Sequence, residues 1–254
     1  MAIETAYRGK IKGILKGLTD NVIEVVKNPE LYAYTSDGIG EIIGRRLSAM
    51  MERLAGAAFS QFVERIARAF VDDQVKFSDR TMSEIAPSVG LNVYNTPRLR
   101  EVTELATQQN AQLIKSIASQ HLTAISNIVF DNVMKGLRPS EIEAEIKAYG
   151  VTAARAKLIA RDQTAKVVSS ISKARMLDAG FKYFKWDTAH DQRVRDSHRA
   201  AQNRVTKYGV GVYRWDDLPE VDGEKTSPGM PIQCRCVALP VLEFEVEEFQ
   251  REHK

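Results

Sequence analysis

Apolar residues recur at three- and four-residue intervals through most of the first 180 positions, which predicts a largely helical region. From Ile39 the series runs through Ile42, Ile43, Leu47, Met50, Met51, Leu54, Ala58, Phe62 and Ile66 to Phe70, the stripe of one long amphipathic helix. Gly40, Gly44, Ala55, Gly56 and Ala57 lie within it; such small residues cost helix propensity and point to close packing. Arg45, Arg46, Glu52, Arg53, Glu64, Arg65 and Arg68 interrupt the stripe too often for a lipid-facing helix. Pro87, Gly90, Asn92, Asn95 and Pro97 predict a break between Ser83 and Pro97. A second long helix is expected from Pro97 to about Lys135. Its apolar side is Leu99, Val102, Leu105, Leu113, Ile117, Leu122, Ile125, Ile128, Val129 and Val133, with Thr96 as N-cap and Gly136 as stop.

Ser140 and Glu143 have capping-box spacing and predict a short helix ending at Gly150. Thr152 is placed to cap a further helix that runs to Asp178 and stops at Gly180. The period then changes. Phe181 to Trp186 alternates aromatics with lysines, and the YRW and VALPVLEFEV stretches also read as extended, separated by segments rich in Gly, Pro, Asp and Asn. The predicted class is α+β: a mainly helical N-terminal body with long helices (1–136), then a small domain with a helix packed on a short antiparallel sheet (137–245). A Cys234-Arg235-Cys236 strand closes the sheet, and a charged tail (246–254) follows.

The 254 residues, 44% of them hydrophobic, suffice for a real core. Two cysteines build no disulfide framework, no apolar run spans a bilayer, and the start lacks the apolar core of a signal peptide, so a reducing cytoplasm is expected. The net charge of +3 hides an uneven distribution: Arg155 to Arg214 carries 14 Lys/Arg against 5 Asp/Glu, and Trp215 to Lys254 carries 4 against 10. Such neighbouring blocks pair internally or bind polyanions.

Chelating and charged residues concentrate in two loops, 186–198 (WDTAHDQRVRDSH) and 228–236 (PGMPIQCRC). An extended Cys-x-Cys turns both thiols to one side, and His198 lies upstream with His190, Asp191 and Asp196 nearby. The spacing lacks the two ligand pairs of structural zinc sites. It favours reduced cysteines packed as small hydrophobes, so no cofactor is expected and zinc at His198, Cys234 and Cys236 is the alternative. A disulfide between residues two apart closes a strained ring. No phosphate loop, nucleophile elbow or His-Glu-x-x-His motif is present, so no catalytic residues are expected. Arg193 and Arg195 suit carboxylate or phosphate recognition. The structural role is preferred for them, with Lys182, Lys185, Arg199, Arg204 and Lys207 left as possible DNA-phosphate contacts. Trp186 and Trp215 are expected in the core of the sheet.

In order along the chain stand Ala156, Ile159, Ala160, Arg161 and Gln163; Tyr183 and Trp186; Asp191, Arg193, Val194, Arg195 and His198; and Cys234, Arg235 and Cys236. This series, within Leu137 to Pro240, resembles the Mu F-like minor head (head morphogenesis) proteins of tailed phages. The resemblance implies that Arg161, Trp186, Asp191, Arg193, Arg195, His198, Cys234, Arg235 and Cys236 form a structural motif and that 137–245 is the Mu F-like domain. It further implies a non-enzymatic minor capsid protein near the portal inside the procapsid or head, acting in head assembly, genome packaging or DNA release. The implied partners are portal, major capsid or scaffolding protein and non-specifically contacted double-stranded DNA, with no membrane. The competing reading is a metal-dependent nuclease or toxin-like enzyme using His198 with Asp191 or Cys234.

Overall fold

The computed structural model describes residues 2–28, 39–89, 95–149 and 153–253. Its elements are α1 (Ala2–Lys27), α2 (Ile39–Ala55), α3 (Ala57–Val89), α4 (Pro97–Met134), α5 (Pro139–Tyr149), α6 (Ala153–Asp178), β1 (Tyr183–Asp187), α7 (Asp196–Asn203), β2 (Val205–Thr206), β3 (Gly209–Val210), β4 (Val212–Arg214), β5 (Glu220–Val221), β6 (Glu224–Lys225), β7 (Val237–Val241) and α8 (Glu243–Glu252). The α+β class is as expected. No helix among the described residues is long and apolar enough to cross a membrane.

The chain forms two compact units, each assembled from two stretches of sequence: 1–70 with 107–160, and 71–106 with 161–254. In the first, Val22 and Val26 of α1, Ile43 and Leu47 of α2, Leu122, Ile125 and Val129 of α4, and Ile142 and Ile146 of α5 make one buried cluster. Tyr7 stacks on Phe70 with ring centroids 4.0 Å apart and donates to Asn110 Oδ1 at 2.9 Å. Burial pushes its phenol above the usual range.

The long helix expected from Ile39 to Phe70 is two helices, divided at Gly56. Beyond the division the apolar phase resets: Val63, Ala67, Phe70, Val71 and Gln74 are buried, while Phe62 of the predicted stripe is 42% exposed. The predicted break at Ser83 also lies later, because α3 remains helical to Val89. Pro87 falls in its last turn. Gly90 and Asn92, like Gly150 and Thr152, are outside the described residues.

Helix α4 agrees with the sequence almost residue for residue. Thr96 Oγ1 accepts from Leu99 N at 3.1 Å. At the other end Gly136, at φ +71, ends the helix with Gly136 N on Val133 O and Leu137 N on Asn132 O, both at 3.0 Å. Leu105, placed on the apolar side, is exposed. Helix α5 starts two residues earlier than predicted: Glu141, not Glu143, reaches back, accepting from Arg138 N at 2.7 Å. Gly180 stops α6 as expected, with Phe181 N on Met176 O at 2.9 Å.

In the second unit β1 is the centre of a three-stranded antiparallel sheet of order β4-β1-β7. The alternation read from sequence holds, since Phe184 and Trp186 are buried and Lys185 faces out. Phe184 stacks on Trp215 at 4.1 Å, and Tyr213, Ala201, Val221, Cys234 and Cys236 complete the core, with Met176 and Leu177 of α6 packed against it. Two readings need correction. The predicted Cys234–Cys236 strand is an unpaired lead-in to β7, which begins at Val237. The LEFEV stretch is helix α8, where Glu245 accepts from Leu242 N at 2.7 Å and the first turn carries Glu243 and Glu245, which suit a helix N-terminus.

Candidate functional site

Three segments of the second unit converge on the two loops singled out in the sequence. Helix α7 carries His198 on its buried side, next to Ala201. Its position is fixed by Tyr213 Oη donating to Ala201 O at 2.7 Å and by Gln202 Oε1 accepting from Thr188 N at 2.8 Å. The 228–236 loop lies on α6: Gln233 N donates to Asp162 Oδ1 at 2.8 Å, and Ser169 Oγ donates to Pro228 O. Gly229 is at φ +85, and a Cβ there would lie 2.7 Å from that of Ser169, so the close approach to α6 requires glycine. The third segment is the β5–β6 hairpin, whose two-residue turn Asp222-Gly223 has both φ values positive, as a type I′ turn demands.

Asp191 and Arg235 form a bidentate ion pair across the two loops. The same carboxylate accepts from Arg193 N at 2.9 Å and from Arg193 Nη2 at 3.3 Å. The Arg235 guanidinium beside it holds the Asp191 carboxyl well below the usual carboxylate range, with the Arg193 contacts adding to the effect. Arg195 donates to Asp222 Oδ2 at 3.0 Å and to Ile232 O, tying α7 to both the hairpin and the 228–236 loop. Ser197, His198 and Arg195 together lower the Asp222 carboxyl.

His198, Cys234 and Cys236 are all buried, and one donor atom from each lies within 4.8 Å of the others. His198 Nδ1 is 3.3 Å from Cys236 Sγ and 3.5 Å from Cys234 Sγ. Its other nitrogen, Nε2, is 3.3 Å from Asp222 Oδ2. Cys234 Sγ accepts from the backbone N of Gly229 and of Cys236, each at 3.4 Å. A hydrogen bond from the Cys236 thiol, with these N–H groups, draws the Cys234 thiol down to about 5. The same shared hydrogen bond, together with burial, pushes Cys236 up.

The other residues named from sequence are placed as follows. Trp186 is fully buried against this cluster, its ring edge-on to His198 at 5.5 Å between centroids. Arg161 is half-buried on α6. Lys182 is paired with Glu243 at 2.9 Å, and Arg199 with Asp196 at 2.9 Å and with Asp191 O at 3.2 Å. Lys185 and Arg204 are exposed, as is Lys207, whose ammonium sits 5.0 Å from the Tyr208 ring. Asp222 was missed, although Asp-Gly is a strong hairpin signal; it, rather than Asp191, is the carboxylate that meets His198. Also missed was Gly9-x3-Gly13-x3-Gly17 on α1, which opens onto a groove of about 840 Å³ lined by Leu54, Phe59, Phe62 and Ile66.

Residues 123–239 match the family described as "Phage Mu protein F like protein". Over this segment the chain is similar to the phage Mu F-like family. The His198, Cys234 and Cys236 cluster and the ion-paired loops lie within it, whereas Glu243 and the residues of the α1 groove lie outside. The chain is also similar to an uncharacterized protein of Haemophilus influenzae, 31% identical over 248 residues, which cover 94% of this chain and 53% of that protein. The chain thus spans about half the length of that relative. No solved structure matches it.

The ion pairs of the two loops yield a graded prediction. Arg235→Ala strips the bidentate partner from Asp191 and is expected to lower the melting temperature clearly, whereas Arg193→Ala removes a largely exposed side chain and should leave it nearly unchanged. Because the Asp191 carboxyl is lowered in the folded protein, its contribution is complete above the unfolded value of about 4 and fades as pH falls through the folded value. Asp191→Asn should therefore flatten the acid limb of a stability-against-pH curve. An unchanged limb, or equal losses from Arg193→Ala and Arg235→Ala, would contradict this reading of the loop.

Proposed function

We propose that the chain acts as a minor head protein of a tailed phage, bound near the portal inside the procapsid or head and serving head assembly, genome packaging or DNA release. The match of residues 123–239 to the phage Mu F-like family carries this reading. Its site residues act as fasteners: Asp191 with Arg235, and Arg195 with Asp222 and Ile232 O, hold the loops of the small sheet together. The helical unit supplies the protein contacts, with portal, major capsid or scaffolding protein as partners. The α1 groove supports that assignment, because it combines open glycine backbone with exposed Phe62, a surface suited to close helix packing. Lys185, Arg204 and Lys207 are suited to non-specific contact with packaged double-stranded DNA. The function requires no catalytic step.

Mass spectrometry of purified heads tests the proposal. The chain is expected in DNA-filled heads, in fewer copies than the major capsid protein. Its absence from heads and procapsids alike would overturn the reading.

A further inference from the structure

We propose that His198, Cys234 and Cys236 bind a thiophilic divalent cation, zinc, with a water in the fourth position. The proposal departs from the packed thiols that the sequence spacing favours, and four observations carry it.

The first is separation. Zinc at the usual bond lengths of about 2.3 Å to sulfur and 2.0 Å to nitrogen places tetrahedral S and N ligands about 3.5 Å apart. The observed Nδ1 to Sγ distances are 3.3 and 3.5 Å. Packed thiols account for this poorly, since Nδ1 offers either one proton or one lone pair and serves one sulfur at a time. A cation satisfies all three donors together.

The second is the imidazole's outer partner. Asp222 Oδ2 and Arg195 Nη1 both stand 3.3 Å from Nε2, and with the Nε2 proton directed to the carboxylate the Nδ1 lone pair faces the sulfurs. A carboxylate on the far nitrogen is the usual support of a metal-bound histidine. Arg195, 3.0 Å from the same carboxylate, balances its charge.

The third is the surroundings of the sulfurs. Two backbone N–H groups, of Gly229 and Cys236, point at Cys234 Sγ, an arrangement that stabilises thiolate. Two thiolates, a neutral imidazole and a dication sum to a neutral buried group, the form that a low-dielectric interior tolerates.

The fourth is room. A cavity of about 30 Å³ touches all three donors and is flanked by Val194 and Arg195. That space holds one water, and the donor set of two soft sulfurs and one imidazole selects zinc over magnesium or calcium. The ion would fasten the start of α7 to the 228–236 loop, two segments joined otherwise by the Arg195 contact with Ile232 O.

The experiment uses the full chain purified without chelator. Elemental analysis is expected to give about one zinc per chain, and removing it with a strong chelator should lower the melting temperature, as expected where metal binding is coupled to folding. Replacing zinc by cobalt should produce thiolate-to-cobalt charge-transfer absorption and the intense visible bands of a tetrahedral site. Cys236→Ser should lose both the stoichiometric metal and the charge-transfer band. If that variant does not fold, the wild-type cobalt spectrum decides alone. Wild-type protein that takes up neither zinc nor cobalt from excess metal, or a folded Cys236→Ser that binds zinc as tightly as wild type, would overturn the proposal.

Discussion

Trp186→Ala is expected to destabilise the C-terminal unit by about 3 to 5 kcal/mol, the range for removing a large aromatic side chain from a core. Trp186 is fully buried on the inner face of β1, edge-on to His198 and clustered with Ala201, Cys234 and Cys236, so its loss opens a cavity beneath both loops at once. Trp186→Phe retains an aromatic ring and removes a buried N–H that makes no hydrogen bond, so it should cost much less. Denaturant titration of the two variants measures the difference. Equal, small losses would contradict the placement of Trp186 at the centre of this core.

The second large effect concerns association rather than folding. Gly13 lies on the open face of α1, where an added Cβ meets nothing within 4 Å. Gly13→Leu should hold or raise the stability of the free chain, by roughly 0.5 to 1 kcal/mol, because leucine is a better helix former than glycine. The same side chain fills the groove lined by Leu54, Phe59, Phe62 and Ile66 and keeps a partner helix away. Co-sedimentation of the full-length variant with procapsids is therefore expected to fall at least tenfold, about 1.4 kcal/mol or more of lost association. Retained co-sedimentation would remove the groove from the partner surface. Point variants suit this test better than truncation at residue 136, because each compact unit is built from two stretches of sequence and a cut there divides the first of them.

Local signals in the sequence were dependable where the chain satisfies them locally. Thr96 caps α4, Gly136 and Gly180 stop their helices through backbone hydrogen bonds a few residues long, and β1 alternates as its lysines and aromatics dictate. Signals failed where a distant contact or a change of phase decides. Gly56 was read as a packing residue within one helix, but it separates two helices, and the buried face restarts at Val63. In LEFEV, alternation was outweighed by the Glu245 contact that starts α8. In the site, the motif order gathered Asp191, Arg195, His198 and the CRC residues correctly as neighbours of one another. It could not reveal that Arg235 takes Asp191, or that Asp222, 24 residues from His198, supplies its carboxylate, because those pairings exist only once the hairpin folds onto α7.

Site-specific photo-cross-linking inside intact heads tests the account most directly. A photoreactive residue placed at Gly13 samples the α1 groove, and one placed at Lys185 samples the exposed face of β1. The account predicts cross-links from position 13 to the portal or an adjoining head protein, and from position 185 to packaged DNA or to nothing. Cross-links to the portal from position 185 alone, with none from position 13, would contradict it.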